Sequence, residues 1–169
     1  MKNLIIINGA MGCGKTTASK TLMKYLPRSV MLDGDWCWYM DPFRVTETTK
    51  AVVLDNIVYM LKNYMLCGEF ENIIFCWVLN DESVIDSIKS KIERLGFDIY
   101  VFTLICGEAE LERRLLKDVK SGARTDGVVK RALSYLSYYD NMDTEKIYAD
   151  NLSAAETALY IADRVGYMV

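Results

Sequence analysis

Residues 4–16 read Leu-Ile-Ile-Ile-Asn-Gly-Ala-Met-Gly-Cys-Gly-Lys-Thr, and this stretch decides the fold. Its first four residues are apolar and typical of a buried strand, and the segment after it has the composition of a helix. Its last eight residues match the pattern G-x-x-x-x-G-K-[ST], whose chemistry requires a strand before the loop and a helix after it. The stretch therefore predicts a site for a phosphate-bearing nucleotide.

The residues of this loop have separate predicted tasks. Gly9 and Gly14 let the backbone turn and approach phosphate closely, while the loop N–H groups and the helix start form an anion nest. Lys15 is expected to reach the β and γ phosphates, and the Thr16 hydroxyl to be a Mg²⁺ ligand. The predicted nucleotide-binding residues of the loop are Gly9, Met11, Gly12, Cys13, Gly14, Lys15, Thr16 and Thr17. Thr17 could instead be an ordinary residue of the first helical turn.

The composition predicts one globular domain over residues 1–169, since the chain is 51% hydrophobic and 25% charged. A net charge of −3 argues against a nucleic-acid partner, and the chain contains no histidine for catalysis or metal binding. Five cysteines without a C-x-x-C pair favour reduced thiols and a cytoplasmic location. No apolar run reaches the roughly eighteen residues of a membrane span. The expected partner is a small molecule, and the expected state is a monomer or homodimer.

Strand-like and helix-like segments alternate along the chain, which predicts a parallel α/β sheet. The predicted strands are residues 3–8, 29–33, 72–79, 98–106 and 145–149. The predicted helices are residues 15–25, 46–66, 82–95, 107–120, 127–140 and 154–165.

Asp33-Gly34-Asp35 follows the second predicted strand, where the carboxyl ends of parallel strands form a ligand crevice. One carboxylate could orient Mg²⁺ through water, and the other could contact an acceptor hydroxyl and take its proton. We assign the metal to Asp33 and the base to Asp35. The third predicted strand is followed by no carboxylate before Asp81, which is expected to cap the next helix. The alternative for Asp33 and Asp35 is an ordinary Asp-Gly turn.

An aromatic segment follows Asp35 directly. Trp36, Tyr39 and Arg44 could wall an acceptor pocket, with Arg44 steering an anion. The alternative is that most of this segment packs beneath the next helix.

Basic residues later in the chain suit the charge that develops during phosphoryl transfer. Arg124 lies in a polar segment with two glycines, residues 120–127, which is predicted to be a mobile lid. Arg114 could anchor the nucleotide, and Arg131 could contact the acceptor. The alternative is a solvated basic helix face balanced by neighbouring acids.

Together, the loop motif, Asp33-Gly34-Asp35, the lid arginine and the length resemble the P-loop kinase superfamily of nucleoside-monophosphate, shikimate and gluconate kinases. The nearest likeness is to bacterial AAA-type nucleotide-kinase-like proteins. This resemblance implies the three-layer P-loop NTPase fold, with a five-stranded parallel sheet in the order 2-3-1-4-5 and helices on both faces. It also implies ATP and Mg²⁺ as cofactors.

Two functions follow from these observations. The first is an ATP-dependent phosphotransferase in which Lys15, Asp35 and Arg124 are catalytic and a small molecule is the acceptor. The second is a nucleotide-binding regulator or weak ATPase that has no acceptor. The sequence leaves the acceptor open, because one arginine in an aromatic segment is compatible with a nucleobase, an antibiotic or a sugar.

Overall fold

The computed structural model of the protein describes residues 2–125 and 127–167. Its strands are β1 (Asn3–Gly9), β2 (Ser29–Asp33), β3 (Asn72–Cys76), β4 (Asp98–Ile105) and β5 (Glu145–Tyr148). Its helices are α1 (Lys15–Leu22), α2 (Glu47–Leu66), α3 (Glu82–Ile92), α4 (Glu108–Lys120), α5 (Val128–Ser134), α6 (Leu136–Asn141) and α7 (Ala154–Arg164). Within the described ranges, no helix combines the length and the apolar character that crossing a membrane would require.

The five strands form one parallel sheet in the order β2-β3-β1-β4-β5, which confirms the predicted fold class and strand order. β1 lies at the centre of the sheet, and all seven of its residues are buried. One apolar core packs beneath α1, α4 and α7, and a second packs beneath α2 and α3. The sheet is therefore covered on both faces, as expected for parallel strands that are apolar on both sides.

β3 ends at Cys76, three residues before the predicted end of that strand at residue 79. The reason is the end of its neighbour, because Cys76 pairs with Asp33 and the chain of β2 turns away at Gly34. The Trp77 N–H still donates to the Ile7 carbonyl at 3.2 Å, so the chain stays close to β1 without continuing the ladder.

The helix predicted over residues 127–140 is instead two short helices, α5 and α6. They meet at Tyr135, whose N–H donates to the Ala132 carbonyl three residues earlier rather than four. Such i−3 hydrogen bonds tighten the last turn of a helix and change its direction. After this break, Tyr139 is buried, while Tyr138 stays exposed. Asp126, within the predicted lid segment 120–127, lies outside the described residues.

Asn8 fixes the chain that follows β3 to the centre of the sheet. Its side chain is fully buried, and its amide group donates to the Leu79 carbonyl at 2.8 Å. The side-chain oxygen of Asn8 in turn accepts a hydrogen bond from the Leu79 N–H at 2.8 Å. This reciprocal pair holds residues 77–79 against β1, next to the loop that binds phosphate in the predicted function.

We expect Asn8→Ala to lower the free energy of unfolding, because it leaves both backbone groups of Leu79 buried without a partner. Each unsatisfied buried group costs about 1–3 kcal/mol. Urea denaturation followed by circular dichroism measures the change. Asn141→Ala is the matched control, since the exposed Asn141 amide donates only to the Ser137 carbonyl within its own helix. Equal losses in the two variants would contradict this account.

Candidate functional site

A cavity of about 490 Å³ lies along the carboxyl edge of the sheet, where a parallel α/β fold places its ligands. Its walls come from the loop after β1, the ends of β2 and β3, the exposed side of α4 and the chain after β5. The polar and charged side chains that line it are Lys15, Thr16, Thr17, Asp33, Asp35, Arg113, Arg114, Lys117, Asp118, Arg124 and Thr157.

The glycine-rich loop is closely packed against its neighbours. At Gly9, φ is +137°, and a Cβ placed there would lie 2.5 Å from the carbonyl oxygen of Leu104. This position therefore admits only glycine. The Lys15 side chain is 8% exposed, and its ammonium group donates to the carbonyls of Gly9 and Ala10 at 2.9 and 2.8 Å. Since an ammonium group has three donors, one N–H remains for a phosphate oxygen.

Thr16 and Asp33 bring two hard oxygen ligands together at the start of α1. The Thr16 hydroxyl donates to the Asp33 carboxylate at 2.8 Å. Asp33 is 6% exposed, and its other oxygen accepts from the Asp35 N–H at 3.1 Å. A hydroxyl and a carboxylate with phosphate and water beside them suit Mg²⁺, which keeps several waters in protein sites. In the described residues, no cluster of three or more acids and cysteines could bind a metal without such help.

Asp35 has the environment of a proton acceptor. Burial and the neighbouring Asp33 carboxylate raise the pKa of Asp35 above its ordinary value. Lys15, Trp77 and Arg124 act in the opposite direction and lower the same pKa. A carboxylate with a raised pKa is a better base for a hydroxyl proton than an unperturbed one.

Trp77 packs directly on the turn that carries the two aspartates. A Cβ at Gly34 would lie 2.3 Å from Cγ of the Trp77 ring. The Trp77 ring also packs against Phe75, with 6.4 Å between the two ring centroids. Gly34 is therefore required by the ring above it, and the indole fixes how Asp35 leaves the end of β2.

Arg114 joins two segments of the cavity wall. Its guanidinium donates to the Cys13 carbonyl in the loop after β1 at 3.3 Å and to the Ala149 carbonyl after β5 at 2.9 Å. Glu110 accepts from Arg114 at 2.7 Å and from Arg113 at 2.6 Å. These hydrogen bonds lower the pKa of Glu110 to about 2. Arg114 thus holds the glycine-rich loop against the chain that follows β5.

Arg124 is held by an acid within the same wall. Its Nε donates to the Asp118 carboxylate at 3.1 Å, and both side chains are partly exposed. The Asp118 carbonyl also accepts from the Ala123 N–H at 2.9 Å, which closes the turn after α4. A phosphate in the cavity would therefore compete with Asp118 for the Arg124 guanidinium.

Most of the predicted site residues line the cavity, but only some of the residues predicted to contact the acceptor do so. The cavity is lined by Met11, Gly12, Cys13, Gly14, Lys15, Thr16, Thr17, Asp33, Asp35, Arg114 and Arg124. Gly9 does not line the cavity itself, but its carbonyl accepts a hydrogen bond from the ammonium group of Lys15, which does. Trp36, Tyr39, Arg44 and Arg131 are not among the residues that line it. The chemical roles of all these residues stay predictions.

Sequence reasoning did not select Trp77, Lys117 or Asp118 for the site. The position of Trp77 immediately after a buried strand could have indicated that it lies at the site, because ligands bind at the carboxyl ends of parallel strands. Lys117 lies one turn after Arg113 and one before Ser121, on the same face of α4. Asp118 could not be selected from the sequence, because its partner Arg124 lies six residues away across a turn and not at a helical spacing.

The comparison with family models gives one match, a model described as AAA domain, over residues 5–146. None of the curated proteins matches the chain in sequence.

Solved structures of the same fold cover almost the whole chain. The tunicamycin resistance protein of Deinococcus radiodurans is 22% identical with a TM-score of 0.71, covering 98% of this chain and 96% of its own. A gluconokinase from Sinorhizobium meliloti is 14% identical with a TM-score of 0.69, covering 96% and 93%. The APS kinase of Mycobacterium tuberculosis, solved with AMPPNP and APS, is 15% identical with a TM-score of 0.69, covering 97% of each chain. The TM-scores of these three structures show that they share the fold of this chain.

We expect Gly34→Ala to destabilise the protein, because the new methyl group meets the Trp77 ring and overpacking typically costs about 1–3 kcal/mol. Thermal or urea unfolding measures the loss. Gly127→Ala is the control, since its φ is −68° and no atom lies within 4 Å of an added Cβ. A Gly34→Ala variant as stable as the control would show that Trp77 moves without cost.

We expect Asp118→Asn to tighten the binding of Mg-AMPPNP by about two- to fivefold, because a partly exposed ion pair is worth at most about 1 kcal/mol. The tightening should vanish when Arg124→Gln is also present. Calorimetric titration of the two single variants and the double variant measures this coupling. Glu112→Gln, an exposed acid on the same helix, is the control. Equal tightening with and without Arg124 would mean that Asp118 acts only through its own charge.

Proposed function

Because this chain belongs to the AAA domain family and shares the fold of P-loop kinases, we propose that it is an ATP-dependent phosphotransferase. It would move the γ-phosphate of Mg-ATP to a hydroxyl or phosphate group of a small molecule. The comparisons support a kinase-like function and leave the acceptor open, since the similar structures are named for different small molecules.

One observation carries the proposal. The Thr16–Asp33 hydrogen bond and the perturbed Asp35 carboxyl lie at one end of the cavity that Lys15 and Arg124 also line. A protein that only binds nucleotide needs the lysine and the threonine. It has no use for a second carboxylate with a raised pKa beside them, and such perturbed groups are concentrated at functional sites.

In this proposal the residues divide the work of an in-line transfer. Lys15 holds the β and γ phosphates, and Arg124 leaves Asp118 to bind the transferred group. Thr16 and Asp33 would hold Mg²⁺, which when bound offsets the negative charge of the phosphates. Asp35 accepts the proton of the attacking hydroxyl. The new bond joins that oxygen to the γ-phosphorus, and the bond to the β–γ bridging oxygen breaks with its electron pair leaving on ADP.

Apolar side chains form part of two walls of the cavity. Trp77 and Val78 form the wall at the end of β3, and Leu152 lies in the opposite wall after β5. These apolar side chains lower the local dielectric, which strengthens each interaction between a cation and phosphate.

The first experiment is thermal unfolding with and without Mg-ATP. Binding to the native state alone raises the Tm, by an amount that grows with ligand concentration over Kd. A shift is expected for the wild type and should be reduced in Lys15→Ala. The absence of any shift would contradict nucleotide binding by this loop.

We expect Asp35→Asn to lower the rate of phosphate transfer by about 10²–10⁴-fold, the usual contribution of a general base. The Kd for Mg-AMPPNP should change little, because an amide keeps the size of the side chain. Transfer is measured from labelled ATP with a pool of hydroxyl compounds. Asp41→Asn is the matched control, since Asp41 is an exposed acid of the same segment. If Asp35→Asn binds ATP and slowly hydrolyses it at the same rate as the wild type, and neither transfers phosphate, the regulator or weak ATPase is favoured instead.

A further inference from the structure

The two ends of the cavity differ in charge. We call the end beside Asp35 and Trp77 the acceptor end, because the acceptor would bind there in the proposed function. We infer that the acceptor is a ring-bearing hydroxyl compound without a carboxylate, phosphate or sulfate group. This inference rests on the proposed phosphotransferase function and narrows its substrate to a non-acidic class.

All the basic side chains of the cavity come from the nucleotide side. They are Lys15, Arg113, Arg114, Lys117 and Arg124. Lys15 opens α1, and the four others lie on α4 or in the turn that follows it. Since the sheet order places β2 and β4 on opposite sides of β1, these four lie across the cavity from the end of β2.

The opposite end contains acids and apolar groups. In the parts of the chain that the structure describes, four lining residues lie at or just after the ends of β2 and β3: Asp33, Asp35, Trp77 and Val78. None of these four side chains is a cation, so none of them can form an ion pair with an anionic group of the acceptor. Arg44, the nearest basic residue along the chain after β2, is exposed and does not line the cavity.

An acidic acceptor would therefore meet unfavourable charges on two sides. The Asp35 carboxylate lies on the protein side, and the γ-phosphate approaches from the nucleotide, while Asp33 is engaged with Mg²⁺ in the proposed mechanism. Lys15 and Arg124 are close enough to influence Asp35, but the proposed mechanism engages both with the transferred phosphate. Like charges without a compensating partner are strongly disfavoured in a partly buried site.

One aromatic side chain lines the acceptor end. The Trp77 ring lies over Gly34, the residue before Asp35. Trp36, Tyr39 and Phe43 follow Asp35 in the chain, but they are exposed and do not line the cavity. An aromatic ring beside a polar site favours the flat or apolar face of another ring, as in many ligand pockets.

The test uses pairs of ring-bearing acceptors that differ in acidity because one is the methyl ester of the other: methyl shikimate with shikimate, methyl glucuronate with glucuronate, and the methyl ester of uridine-5′-carboxylic acid with the free acid. The pairs are pooled with a wider set of hydroxyl compounds, and ATP labelled with ¹⁸O in its γ-phosphate marks each product for mass spectrometry. Phosphatase then releases the acceptor, whose retention on an anion-exchange resin reports its charge. Asp35→Asn identifies the products that depend on the proposed site.

We expect Asp35-dependent products whose released acceptors are not retained, with kcat/KM at least about tenfold above that of the acidic partner. Preference for an acidic partner would overturn the inference while leaving phosphate transfer intact. Mg-ATP stabilisation without any Asp35-dependent product would contradict the proposed function and the inference with it. The two failures are therefore distinguishable.

A charge added at the acceptor end provides a second test. Val78→Arg should lower the preference for the non-acidic partner by about tenfold, because it supplies the missing cation. Val78→Gln is the control of similar polarity without charge. Unchanged selectivity in Val78→Arg would contradict the inference. A loss of turnover with an acidic acceptor in Arg44→Gln would also overturn it, since that arginine would then be a cation of the acceptor end.

Discussion

The common register of three parallel strands is the constraint on which the whole site depends. Ile7 of β1 pairs with Cys76 of β3, and Cys76 pairs with Asp33 of β2, so β2 and β3 end at the same level, and β1 runs only two residues further, to Gly9. The glycine-rich loop, Trp77 and Asp35 are the next parts of the chain to leave that edge. A shift of one residue in either pairing would turn the side chains to the opposite face and separate the Thr16 hydroxyl from Asp33.

Buried polar contacts stabilise this arrangement where the strand ladder stops. Asn8 takes over from the backbone at the end of β3, and Arg114 joins the loop after β1 to the chain after β5. Cys76 lies beside Asp33 on the neighbouring strand, and burial raises the pKa of its thiol to about 12. A protonated thiol there adds no further negative charge beside a carboxylate that is itself almost fully buried.

The sequence predicts those parts of the molecule that local chemistry determines. The strand order follows from the resemblance to a known fold, and the glycine-rich loop and the Asp33 region are short motifs whose residues act close to their place in the chain. The end of β3 was missed because it depends on where β2 stops. Trp77 and Asp118 were missed for a related reason, since their partners Gly34 and Arg124 are defined by packing across turns. The exposed Tyr39 shows that aromatic composition alone does not indicate which side chains enter a cavity.

The packing of Trp77 on Gly34 has a spectroscopic consequence. The chain has three tryptophans, and the other two, Trp36 and Trp38, lie in the single turn that follows Asp33. All of its indole emission therefore originates around the carboxyl ends of β2 and β3. Intrinsic fluorescence should follow changes of polarity at this end of the cavity with almost no background from α4 or α7, so the protein contains its own optical reporter of what arrives beside Asp35.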